Sequence, residues 1–152
     1  MLFRSGPDRL GPEATTITLA QWKAALERTQ RRLKAVLLDQ RSVAGIGNIY
    51  ADEILFAARL APTRSGCSLD DAEVARLHRA TKKILTRAIR SQGTSIRDYV
   101  DANGVPGEFQ KRLAVYGRAD QPCKGCGHPV ELDRTVVTGR ATHWCPRCQT
   151  RM

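Results

Sequence analysis

Cys123-Lys124-Gly125-Cys126 and Cys145-Pro146-Arg147-Cys148 are two C-x-x-C turns separated by eighteen residues. Each such turn points two thiolates at one centre, and two of them complete a tetrahedral shell of four sulfurs. The spacer is long enough for two strands and a turn, which brings the pairs together at the base of a hairpin. Its composition agrees, with β-leaning runs at 130–132, 134–138 and 141–144 and a turn signal at Gly139. A disulfide framework would use the same residues, but the chain has no secretory features and enough sequence for a core of its own. A redox pair needs only one C-x-x-C, beside a βαβ unit. The reading is one structural Zn2+ held by Cys123, Cys126, Cys145 and Cys148, with no open position for Lewis-acid chemistry. Ligation of this kind contributes on the order of 10 kcal/mol to folding so small a module. The fifth cysteine, Cys67, is given no role, and His128 and His143 are expected at the surface or behind the ligands.

Working outward from the cysteines, the chain changes character at about Tyr116, and everything before it reads as helical. Residues 1–17 carry Gly/Pro dipeptides without periodicity, an irregular leader. Thr18 and Gln21 fit a capping box. Leu19, Trp22, Leu26, Leu33, Val36 and Leu37 then recur at helical spacing, predicting one helix to about Leu38. A second helix is predicted from Ile49 to Leu60, ended by Pro62 and Gly66. A third is capped by Ser68 with Asp71 and buries Val74, Leu77, Ile84, Leu85, Ala88 and Ile89 until Gly93. Short helical pieces are expected over 95–100 and 108–115. The plan is mainly α: a leader (1–17), a helical domain (18–115) and a four-cysteine β-hairpin finger (116–152).

Composition points to a partner. The 152 residues are 41% hydrophobic and 26% charged, as in an ordinary soluble globular protein, and no apolar run is long enough to span a membrane. The start is too short and too soon broken for a signal peptide, so the expected location is cytoplasmic, associated with the nucleoid, and the expected state a monomer. The formal net charge is +10, half of it in the last 42 residues. Such an excess in a small domain fits a polyanion, because each neutralised phosphate releases a condensed counterion. With only 5% aromatic residues there is little material for a platform that stacks single strands.

Val43-Ala44-Gly45-Ile46-Gly47-Asn48 is a tight glycine turn immediately before the second helix. Unpaired N–H groups at a helix start carry partial positive charge and form an anion site. Asn48 is placed to cap the helix or to offer its amide to a phosphate oxygen. Tyr50 and Lys34 are within reach of the same strand, although Tyr50 reads equally well as a core aromatic.

Taken in order, several segments resemble the C-terminal half of the formamidopyrimidine-DNA glycosylase family, which includes endonuclease VIII. They are 37–40, 43–53, Arg97-Asp98-Tyr99, Val115-Tyr116-Gly117-Arg118, and Gly139-Arg140-Ala141-Thr142 leading into the second cysteine turn. The resemblance runs from about Leu10 onward. It implies a helix–two-turns–helix DNA-binding domain followed by a β-hairpin zinc finger, acting on double-stranded damaged DNA in base-excision repair of oxidised purines such as 8-oxoguanine and formamidopyrimidine. It also implies roles: Asn48, with Gly47 at the helix mouth, on a phosphate; Arg140 at the hairpin tip on the backbone; Glu53 orienting neighbours; residues 94–109, with Arg97 and Tyr99, closing over the damaged base; Tyr116 and Arg118 in the linker into the finger, with Arg118 as a further DNA contact.

The family's nucleophile is a proline amine at a processed N-terminus, with a glutamate beside it. Met1-Leu2-Phe3 does not match that start, so the expectation is that DNA binding transfers and catalysis does not, with a missing N-terminal half as a conceivable partner. The eighteen-residue spacer is slightly longer than the family's, and the extra length is expected around 131–134. The other class in view is a zinc-ribbon module binding RNA or protein, which accounts for the cysteines and charge but not for the glycine turn.

Overall fold

The computed structural model describes residues 10–90 and 113–149. Its elements in chain order are α1 (Leu19–Leu26), α2 (Leu33–Leu38), α3 (Asn48–Ala58), a single 3-10 turn (Gly66–Ser68), α4 (Asp71–Arg90), β1 (Glu131–Val137) and β2 (Arg140–Trp144). Among the described residues the architecture is mainly helical, with one two-stranded hairpin. Among the described residues no helix is long and apolar enough to cross a membrane.

One core holds the helices together. Trp22 and Leu26 of α1, Leu33 and Leu37 of α2, Ile54 and Leu55 of α3 and Leu77 of α4 are all fully or almost fully buried in it. α3 packs on α4 on one side and on β2 on the other, while α1 also packs on α4. The segment before α1 is irregular, as expected, but it is part of this core: Ala14 and Ile17 are buried, and Ala14 N–H donates to the Ala44 carbonyl at 2.8 Å.

The single helix expected over 18–38 is two. The Thr18–Gln21 capping box starts α1 in both directions, at 3.0 and 3.1 Å. After Leu26 the chain leaves the helix, with Thr29 Oγ1 accepting from Arg31 N–H. The intervening backbone pairs instead with 62–67: Gly66 N–H to Arg31 O, Cys67 N–H to Thr29 O and Leu33 N–H to Arg64 O, at 2.7 to 2.9 Å. Apolar spacing continues across the break, which is why periodicity alone reads straight through it.

Three other boundaries differ from expectation. α3 stops at Ala58 because Arg59 turns left-handed (φ 62°) and Leu60 N–H closes on Leu55 O, before Pro62 is reached. α4 is capped by Asp70, not Ser68: Asp70 and Glu73 bond each other's backbone N–H at 2.8 and 2.9 Å. Ser68 is engaged by Arg64 Nε instead. Ile89, expected to face inward, is 63% exposed, since it lies at the edge of the α4 stripe made by Val74, Leu77, Ile84 and Leu85. Leu113 to Val115 are not helical. The pieces expected over 91–112 lie outside the described residues.

The hairpin is antiparallel, pairing Glu131 with Trp144, Asp133 with Thr142 and Val137 with Arg140. Between the last two pairs β1 has two more residues than β2, so the strand bulges. The irregularity lies over 134–136, next to the 131–134 stretch where extra length is expected.

Candidate metal centre and nucleic-acid interface

The four cysteine sulfurs lie within 4.8 Å of one another, with Cys123–Cys148 at 3.7 Å and Cys126–Cys145 at 3.5 Å. Tetrahedral ligation at about 2.3 Å per bond requires sulfurs about 3.8 Å apart, so these two pairs already stand near the ligand spacing and the whole cluster lies within about 1 Å of it. Backbone amides already point at the sulfurs, Gly125 N–H to Cys123 Sγ at 3.3 Å and Cys148 N–H to Cys145 Sγ at 3.4 Å. Glycine suits position 125 in the first turn, because a Cβ there would stand 3.3 Å from Cys148 Sγ, a tight approach. The thiols are not equivalent. The backbone N–H of His128 draws Cys126 down to about 7, whereas burial pushes Cys148 up to about 12. A cation between them favours the thiolate at every position. His128 and His143 lie outside the cluster.

Around the cysteines the finger has a small apolar cluster, Val115 and Val130, and Phe56 of α3 is packed against it. Polar bonds add to this attachment, from one face of α3 and from the α2 segment. Glu53 is buried and its carboxylate accepts from the N–H groups of Ala114, Val115 and Tyr116 at 2.8 to 3.0 Å. Burial raises its pKa, and those three hydrogen bonds oppose the rise. Asp52, one turn from Asn48, accepts His143 N–H at 2.9 Å and pairs with Lys34 Nζ at 2.7 Å. His143 in turn stands edge-on to Tyr116, ring centres 4.8 Å apart. Arg32 bonds the carbonyls of Thr135 and Val136 in the bulge, and Gln149 Nε2 donates to Leu60 O.

One sequence-predicted contact proves to be internal. Lys34 is fully buried, its ammonium bonded to Ala141 O and Thr142 Oγ1 at 2.9 Å and paired with Asp52. Burial pulls its pKa below the ordinary lysine value, Asp52 opposes this, and the nearby charge of Arg140 adds to the lowering. It has no free donor for a phosphate. Arg118 is half-buried, and its guanidinium donates to Ala114 O and Pro122 O at 2.9 Å, which ties down the linker. Tyr50 is half-buried against the helical core, and burial raises its pKa.

Gly47, Asn48 and Arg140 meet at one place. Gly45 (φ +104°) makes the turn, braced by Gln40, whose Oε1 accepts Gly45 N–H. Gly47 is the N-cap residue of α3, so no side chain caps that end and no acid lies in its first turn. Asn48 does not cap the helix as expected. Its Nδ2 donates at 3.2 Å to Ala141 O, the carbonyl next to Arg140, while its Oδ1 has no partner. Arg140 is exposed at the start of β2. Arg97 and Tyr99 lie outside the described residues. The residues that sequence reasoning missed are Asp52, Thr142, Arg32 and Gln149. Of these only Asp52 left a signal, since it repeats the polar face of Asn48 one turn later on a largely apolar helix.

Residues 6–100 match the formamidopyrimidine-DNA glycosylase H2TH domain. The chain is 46% identical over 143 residues to the formamidopyrimidine-DNA glycosylase of Listeria monocytogenes, covering 93% of this chain and 52% of that protein. It superposes on the crystal structure of the MutM (Fpg) protein from Thermus thermophilus with a TM-score of 0.80 and 49% identity, covering 93% of this chain and 54% of that one. On the complex between Lactococcus lactis Fpg and an abasic-site-containing DNA the TM-score is 0.82 at 37% identity, over 93% and 52% of the two chains. The chain thus spans about half the length of the relatives it matches.

Proposed function

This chain belongs to the formamidopyrimidine-DNA glycosylase H2TH domain family, and from that premise we propose that it is the DNA-gripping C-terminal half of a base-excision-repair glycosylase for oxidised purines. Its partner is damaged duplex DNA, bound through the sugar–phosphate backbone. The carrying observation is the bond from Asn48 Nδ2 to Ala141 O, which joins the uncapped start of α3 to the hairpin residue beside Arg140. Helix-start amides and the second Nδ2 hydrogen of Asn48, the one not given to Ala141 O, then act on one phosphate while the Arg140 guanidinium acts on the next stretch of backbone. Lys34, Asp52 and Glu53 set the distance between these groups without touching DNA. The metal in the four-thiolate cluster is Zn2+; it supplies a rigid base for the hairpin and leaves no coordination site for substrate. No bond-breaking step is assigned to any described residue.

Fluorescence anisotropy with a duplex carrying an abasic-site analogue tests this reading. Affinity falls steeply as salt rises. Asn48→Ala and Arg140→Ala each weaken binding by about 1–3 kcal/mol, as expected for lost hydrogen bonds to a charged group. No binding to duplex DNA at low salt overturns the proposal.

A further inference from the structure

From Val74 to Arg90 the sequence of α4 has six Lys or Arg and no acid. The core-facing stripe of Val74, Leu77, Thr81, Ile84 and Leu85 is buried, which leaves Arg79, Lys82, Lys83 and Arg87 exposed on the opposite side. The ion pairs of this helix are spent in its first turn, Lys23 with Asp71 and Arg64 with Glu73. Arg76 is partly occupied by Ala58 O. The four exposed cations have no ion pair or hydrogen bond among the described residues. A helix can use cations near its C-terminus for its own dipole, but that effect is confined to the last turn and needs one or two.

This face is separate from the Asn48–Arg140 face. α4 packs on α3 and α1, whereas the hairpin packs on α2 and on the other side of α3. Arg79, Lys83 and Arg87 follow one another at four-residue steps, about 6 Å each along the axis, for a row about 12 Å long. Duplex DNA has about one phosphate charge per 1.7 Å of axis, so such a row lies along about seven charges. A small anion would engage one pair of these side chains and leave the rest unmatched.

We propose that the exposed cationic face of α4 is a second contact for duplex DNA, holding a neighbouring segment while the Asn48–Arg140 face holds the first. The inference rests on the reading of this chain as a duplex binder and adds a site to it. A protein that contacts two segments transfers between them without full release, so its departure from one duplex quickens as competitor duplex is added.

The test is energy transfer between donor- and acceptor-labelled duplexes, with the metal-loaded chain at low salt. The parent brings the two labels together, and this signal falls with salt with a log–log slope of about −3 to −4, as expected for four contacts. Replacing Arg79, Lys82, Lys83 and Arg87 together by Gln lowers the signal about tenfold or more, while an abasic-site duplex still binds through the first face. The conservative pair Lys82→Arg and Lys83→Arg retains the signal, which separates charge from folding, as does an unchanged thermal melt. Unaltered energy transfer in the four-Gln chain overturns the inference and leaves the first binding face intact. So does stronger capture of the parent by anionic lipid vesicles than by a second duplex. A parent that binds no duplex at all overturns both this inference and the proposed function.

Discussion

The helical body and the finger are stabilised by different physics, although α3 belongs to both. Ala51, Ile54, Leu55 and Ala58 on one side of α3 are buried in a continuous apolar core with α1, α2 and α4. On its other side Asn48, Asp52 and Glu53 are bonded to the finger, with Phe56 packed against its apolar cluster. The body follows from burial, which is additive and tolerant. The finger follows from ligation and from buried polar bonds, each of which leaves an unsatisfied group if its partner is lost. One helix therefore couples a robust scaffold to a fragile module, and that coupling sets the distance between Asn48 and Arg140.

The contrast is sharpest at the metal. Chelation, or Cys148→Ala, removes stabilisation on the order of 10 kcal/mol from the finger. Near-ultraviolet signals from Trp144 vanish while the far-ultraviolet helical signal remains. A single transition in which both regions melt together would contradict the division. Next in size is Asp52→Ala, which strands the Lys34 ammonium without its counter-charge and costs about 3–5 kcal/mol, read from denaturant midpoints. A cost near zero would mean that Lys34 finds water when its partner is gone.

In the body, Leu77→Ala opens a cavity in the apolar core and costs about 2–5 kcal/mol. It lowers the melting temperature of the helices, with the thiol-to-metal charge-transfer bands of a cobalt-substituted finger unchanged. The smallest effect is acid sensitivity at the start of α4. Arg64 bonds Glu73 through both terminal guanidinium nitrogens at 2.8 and 2.9 Å and holds its carboxyl below the ordinary value of 4.5. A carboxyl depressed by folding contributes stability that is complete above about pH 4.5 and is lost as pH falls through the folded value. Glu73→Gln removes this dependence and costs about 1.5–3 kcal/mol at neutral pH. An equal acid slope in parent and variant would assign the loss to other groups.

The features readable from sequence were those that local spacing determines. Two C-x-x-C turns require their own geometry, and a Thr18–Gln21 box is complete within four residues. The α1–α2 break was not legible, because backbone partners at 62–67 cause it. Lys34 was misplaced for a similar reason: a lysine on an amphipathic helix reads as solvent-facing, and only the docking of Thr142 and Asp52 reveals a buried site. Glu53 was expected to orient neighbours, and it does so by binding three successive amides, a role that no spacing could specify.

The most direct measurement is the effect of Arg140→Ala on affinity for an abasic-site duplex, with metal present and after its removal. The account predicts a loss of about tenfold with metal, as for one lost charged hydrogen bond. Without metal it predicts no difference between parent and variant, because the hairpin no longer stands beside Asn48. An equal loss in both conditions would show that Arg140 finds the DNA without the finger, and would contradict it.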